Sequence, residues 1–271
     1  MKSMKGFTLI ELMVAVVIGV FLVTGLMNLF ITMNRSVTLS DAMSQNQETG
    51  RFAMDYLTQF TRQAGYTDSP SASGSIDPLF TAPDCTLDGA CTENNPNTIR
   101  GDRVSLQMYV ASGNQMQSCT GSIIDGPRKF ANVFWVSADA GSDRELRCRT
   151  VDTDTNTWID QSAVSIVSNI ELLELQVGVA ADPTHRHASR YINMETFNPI
   201  DNTIGVSSIR SIKLGILTTS QTEDNAAQTN IKERKYVVLD SPVLTFNDGA
   251  LRSIFSNTIE LPNAIESAFT N

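Results

Sequence analysis

One apolar run near the N-terminus, Phe7 to Ile31, constrains this chain more than any other feature. About 25 residues of this kind are long enough to cross a bilayer as a single helix. A secretory signal peptide has a shorter apolar core followed by a small-residue cleavage site. Here the run is longer and no such site follows it. Met1 to Gly6 is short, polar and basic, with Lys2 and Lys5, and the first later cation is Arg35. The positive-inside bias therefore keeps the N-terminus in the cytoplasm and exports the rest.

Glu11 breaks the pattern of a plain anchor, because an ionised carboxylate in hydrocarbon is costly. Either it lies near the cytoplasmic interface and snorkels, or it needs a cationic partner from another subunit. Lys5-Gly6-Phe7-Thr8-Leu9-Ile10-Glu11 resembles the class III prepilin signal of type IV pilins and type II secretion pseudopilins. The resemblance implies that prepilin peptidase cuts between Gly6 and Phe7 and that Phe7 is N-methylated. Glu11 then becomes the fifth mature residue. It would pair with the amine of a neighbouring subunit in the filament core, where an unpaired charge is costly. Gly6 offers the protease no side chain to clash with.

No proline occurs before Pro70, and Met33 to Gly65 reads as continued helix. Ala53, Tyr56, Leu57, Phe60 and Ala64 recur at intervals of three and four, an amphipathic stripe. A helix from Phe7 to about Ala64 would be roughly 85 Å long. From Thr67 to about Arg100 prolines, glycines, serines and asparagines mark a long loop. Strand patterns follow at Arg103–Ala111, Phe130–Ser137, Glu145–Thr150, Val164–Ala180, Ile209–Ser220 and Lys235–Phe246, with turns at Asp139–Asp143 and Asp152–Asn156. The expected fold is α+β and type IV pilin-like: a long N-terminal helix, membrane-spanning in its first half, packed on a mainly antiparallel β-sheet head. The expected segments are a leader at 1–6, a transmembrane or filament-core helix at 7–31, an amphipathic helix at 32–66 and a periplasmic head at 67–271.

A second resemblance is to the PilW family of minor pilins. It is carried by Gln47 to Leu57 with Ala64-Gly65-Tyr66, by Asn169-Ile170-Glu171, Leu175-Gln176-Val177 and Val206–Thr219, and by Leu251-Arg252, Ile254-Phe255 and Thr258-Ile259-Glu260-Leu261. No familiar pattern covers Pro70–Asn97. The resemblance implies a subunit present in few copies, anchored in the inner membrane, that joins other minor pilins in a complex initiating pilus assembly and is then carried into the pilus, with the tip as its expected place. Its implied partners are prepilin peptidase, other minor pilins, the major pilin and the inner-membrane assembly platform. A J-type minor pseudopilin of type II secretion, or an adhesin head mounted on a pilin stem, are the alternatives.

Four cysteines in an exported head fit disulfides in an oxidising compartment. Three pairings are possible; Cys85–Cys91 closing a small loop and Cys119–Cys148 tying two strands are preferred, with free buried thiols the alternative. Asp152, Asp154 and Asn156 have the spacing that opens a calcium loop, but Thr157 stands where the turn glycine belongs, so a solvated turn is the better reading. His185 and His187 flank Arg186 without an evident third ligand. No zinc spacing, phosphate loop or nucleophile elbow is present. Neither an enzyme nor a cofactor is therefore expected. With 20 Lys+Arg against 29 Asp+Glu and a net charge of −9, the chain is a poor candidate for coating nucleic acid.

Overall fold

Helix α1 runs from Leu9 to Gln63 in a computed structural model that describes residues 8–69, 76–95, 100–137, 144–182, 185–194, 196–197, 208–220 and 233–264. The chain divides into two compact units between Ser44 and Gln45. In the first unit, all the large apolar side chains from Leu9 to Ile31 are exposed. A helix apolar on every face is suited to lipid or to a bundle core. The Thr24 and Thr32 hydroxyls donate to the carbonyls of Val20 and Asn28, both at 2.8 Å.

In the second unit the rest of α1 is two-faced. Ala53, Met54, Leu57, Phe60 and Ala64 are buried against the sheets. Asn46 donates to the Leu251 carbonyl and the Ser253 hydroxyl. The helix ends at Gly65, whose φ of 75° a side chain would resist. The last carbonyls, of Arg62 and Ala64, accept from the Asn263 side chain, so the C-terminal segment caps the helix.

The strands follow in chain order: β1 (Val104–Val110), β2 (Gln115–Gln117), β3 (Ile123–Asp125), β4 (Arg128–Val136), β5 (Glu145–Asp152), β6 (Thr157–Trp158), β7 (Val164–Ser168), β8 (Ile170–Val179), β9 (Arg190–Asn193), β10 (Ile209–Thr219), β11 (Arg234–Tyr236), β12 (Leu244–Phe246) and β13 (Arg252–Glu260). One sheet is ordered β1-β4-β5-β6, with β7 also pairing β5, and a second is β13-β10-β8-β9. The strand pairs in both sheets are antiparallel. Both sheets contribute to one core with the α1 stripe.

Each sheet has a second covered face. Phe80, Cys85 and Ala90 of the 76–95 segment pack on Ala131, Val133 and Val151, and Leu79 and Glu93 bridge to Leu106 and Arg103. The segment read as a patternless loop thus covers an edge and a face of the first sheet, which removes an exposed strand edge. On the second sheet, Val238 and Leu244 from the β11–β12 hairpin cover Leu172 and Leu217. Arg252, with its side chain 3% exposed, pairs with Glu171 and Asp248 and lies 3.6 Å over the Phe246 ring. This joins β13 and β8 to the hairpin.

The structure corrects two strand expectations. Val164–Ala180 is not one strand, because Asn169 adopts a φ of 65°. The kink ends β7 in the first sheet and starts β8 in the second. Lys235–Phe246 is a hairpin instead of a strand, turning through Leu239 at φ 51° and Pro242. β13, the β2–β3 hairpin and β9 were not expected. The Asp139–Asp143 turn lies outside the described residues.

Close approach sets Gly101 and Gly50, among other glycines. A Cβ on Gly101, already at φ 76°, would stand 2.0 Å from the Leu173 carbonyl oxygen, and one on Gly50 would stand 2.1 Å from the Phe255 ring. Gly101→Ala should lower unfolding free energy by roughly 2–4 kcal/mol. Gly50→Ala should also destabilise, although Ala is normally favoured over Gly inside a helix by about 1 kcal/mol. Urea midpoints of the full chain in detergent micelles check both; a rise for Gly50→Ala would show that the ring moves aside freely.

Candidate assembly site on the N-terminal helix

The first turn of α1 carries a reciprocal cap. The Thr8 amide and hydroxyl both donate to Glu11 Oε2 at 2.9 Å, and the Glu11 amide donates back to Thr8 Oγ1 at 3.4 Å. Thr-x-x-Glu is the capping-box spacing, which satisfies donors that a helix start leaves without partners. Glu11 therefore has a local partner within its own chain. This local partner stands beside the snorkelling position and the neighbouring amine, and the Thr8-to-Glu11 spacing alone announces it. Gly6 and Phe7 lie outside the described residues.

The cysteines are joined 85 to 91 and 119 to 148, with Cα–Cα separations of 5.5 Å and 6.2 Å. Cys148 sits on β5, but Cys119 lies in the β2–β3 loop, so this bridge ties a hairpin loop to a strand instead of strand to strand. The Cys119 carbonyl accepts from Tyr56 Oη at 2.7 Å and its amide donates to Asn132. That loop is thereby held to α1 and to β4.

Asp152, Asp154 and Asn156 fall in one turn, but their side chains diverge. Asp152 accepts from the amides of Asp154 and Thr155 and faces Arg128; Asp154 faces Lys129. Asn156 reaches across to the disulfide loop, accepting from the Thr86 amide and donating to the Asp84 carbonyl. Among the described residues no group of three or more His, Cys, Asp or Glu could hold a metal ion. His185 is exposed and gives its carbonyl to Arg210, and His187 lies 3.9 Å from Glu260. The two histidines do not converge on a site.

One buried feature was not anticipated. Asp102 and Glu174 are 2% and 3% exposed. Asp102 accepts from the Asn95 and Leu175 amides at 3.0 Å and 2.9 Å, standing in for a strand partner along β8. Burial first, then the charges of Asp102 and Asp240, pushes the Glu174 carboxyl well above the usual range. Burial also raises Asp102, against the amide bonds that favour its charge. The sequence signal is an acidic residue set among leucines within a strand, Leu172-Leu173-Glu174-Leu175.

Residues 133–263 match the family model described as Type IV Pilus-assembly protein W, and residues 1–27 match the prokaryotic N-terminal methylation motif. No curated protein sequence matches the chain. Among solved structures, a type IV-like pilin from Thermus thermophilus aligns with a TM-score of 0.43 at 14% identity, over 84% of this chain and 98% of that one.

Glu174 lies inside the matched span and Asp102 before it, so their contact joins the matched region to the segment that leads into β1. A carboxyl whose folded-state pKa is raised binds a proton on folding. Its contribution is complete below the unfolded pKa, near 4, and is lost as pH rises through the raised folded value. Stability of the full chain in micelles should therefore fall between mildly acidic and mildly alkaline pH. Glu174→Gln, neutral at every pH, should flatten that slope and raise the melting temperature at the alkaline end. Equal slopes for both proteins would assign the pH dependence elsewhere.

Proposed function

We propose that this chain, whose residues 133–263 match the Type IV Pilus-assembly protein W model and whose residues 1–27 match the N-terminal methylation motif, is a minor pilin of the PilW family that helps to initiate pilus assembly. The observation that carries the reading is the build of α1: apolar on every face through Ile31, then two-faced where it packs on the sheets. Such a helix serves first as a membrane anchor and then as filament core. Prepilin peptidase cuts between Gly6 and Phe7 and methylates Phe7. The subunit waits in the inner membrane as a single-pass protein, with residues 67–271 as a periplasmic head. It joins other minor pilins and the major pilin through the inner-membrane assembly platform and comes to rest at or near the tip. The role is structural.

The capping box gives Glu11 two successive tasks. In the waiting subunit Thr8 holds its carboxylate locally. In the filament a neighbour's methylated amine takes it up. The methylated amine is a stronger partner in a low-dielectric core, because the carboxylate then faces a full opposite charge.

Two outcomes test this reading. Intact-mass analysis of purified protein should place Phe7 at the N-terminus with one added methyl; a chain beginning at Met1 in a peptidase-positive strain would remove the basis of the assignment. The two tasks of Glu11 separate by substitution. Glu11→Gln keeps an acceptor for Thr8 but loses the charge, and Glu11→Ala loses both. Both should be cut and inserted normally, and both should fail to co-purify partner pilins and to support normal pilus numbers. Normal assembly with Glu11→Gln and failure with Glu11→Ala would reduce Glu11 to a helix cap.

A further inference from the structure

A cavity of about 140 Å³ opens beside the start of β1. Its walls include Glu93 and Asn95, Arg100 and Arg103, and Trp135 and Val136 from the end of β4. The cavity is about as large as an engineered one of about 150 Å³ that takes a benzene and it is open on one side, so a bulkier six-membered ring enters it with its outer substituents left in solvent.

The lining chemistry is mixed in sign. Arg103 Nη1 lies 3.2 Å from Glu93 Oε2, and Asp102 lies in the same wall as Arg100. A small anion would meet Glu93 and Asp102; a small cation would meet the two guanidinium groups. A neutral polyol suits both, because each hydroxyl donates one hydrogen bond and accepts others. Arg103 Nε is a buried donor with no hydrogen-bond partner, and such a group in a native wall calls for an explanation. Trp135 adds a broad apolar body with one polar N–H, which matches the C–H faces of a sugar ring.

Among the described lining residues, Glu93, Asn95, Asp102 and Arg103 are held by hydrogen bonds within the chain. The backbones of Glu93 and Arg103 exchange two hydrogen bonds of 3.0 Å. Asp102 holds the Asn95 amide on one side and the Leu175 amide of β8 on the other. The Asp102 amide donates to the Leu173 carbonyl at 2.6 Å. The backbone at those residues loses little conformational freedom on binding.

We propose that this cavity is a sugar subsite on the head, taking one uncharged pyranose ring, free or at the end of a glycan. The proposal goes beyond the assembly role and does not depend on it. The test uses the full chain with 5-fluorotryptophan at Trp135 and Trp158, in amine-oxide micelles, since glycoside detergents would compete. Probes are the methyl pyranosides of glucose, galactose and mannose, and N-acetylglucosamine, with sodium acetate and tetramethylammonium chloride as ionic controls. At least one sugar should shift the Trp135 fluorine resonance saturably and leave Trp158 in place. Arg103→Lys, which keeps the charge but loses the planar fork, should weaken that response about tenfold, the loss of one or two charged hydrogen bonds. Asn95→Ala, whose backbone amide still reaches Asp102, provides a second variant if the first is unstable. No saturable shift with any sugar, the same shift with acetate or tetramethylammonium, or binding unchanged in both variants would each overturn the proposal. Pilus counts should stay normal in strains carrying either variant, which separates this site from the assembly role.

Discussion

Burial of one face of α1 is the contact on which the head depends. Leu57 is fully enclosed, Phe60 nearly so, and the residues around them come from both sheets. Removing one such side chain from a core typically costs about 2–5 kcal/mol, a large share of the stability of an ordinary domain. The aromatic rings of Tyr56 and Phe60 lie 6.3 Å and 5.7 Å from that of Phe134 on β4. Tyr56 adds its hydroxyl to the Cys119 carbonyl. A segment that is only half apolar is thus held along its length by three kinds of contact: aliphatic, aromatic and polar.

Polar side chains fix where the helix sits. Asn46, Thr58 and the C-terminal carbonyls of α1 are all met by residues beyond position 250, through Leu251 and Ser253, Asn257 and Asn263. Hydrophobic burial alone is non-directional, whereas these bonds demand one register of helix against strand. Gly50 sharpens the same demand, since the Phe255 ring occupies the space a side chain would take. The Arg252 cluster repeats the device on the other face of the second sheet, where an unpaired guanidinium at 3% exposure would be strongly unfavourable.

Much of this was legible in order along the chain. The apolar run, the i, i+3, i+4 stripe at Ala53 to Ala64 and the alternation in Val104 to Val110 are local patterns, and local patterns follow from the geometry of helices and strands. The strands at 104–110, 128–136, 145–152 and 209–219 fall within two residues of the expected bounds. The misreadings sit where tertiary contacts override local pattern. Asn169 interrupts an apolar stretch that reads as continuous, because its left-handed backbone lets the chain pass from one sheet to the other. β13 is mostly exposed, with a burial pattern that lacks alternation. It is a strand because it pairs with β10 over nine residues.

The sequence by itself determined the anchor, the processing motif and the division into helix and β-rich head. These depend on the length of an apolar run, on a few residues at fixed spacing and on periodicity, all of which are read along one continuous stretch of chain. It also contained the Thr8–Glu11 cap, a local pair whose spacing is its own signature. The tertiary structure alone decided that the 76–95 segment closes over the first sheet, that Asp102 and Glu174 meet, and that Arg103, Glu93 and Trp135 line one cavity. Those groups come from segments up to 72 residues apart, the span from Asp102 to Glu174. No periodicity connects them; they come together only when strand pairing sets the register and burial removes the water between them.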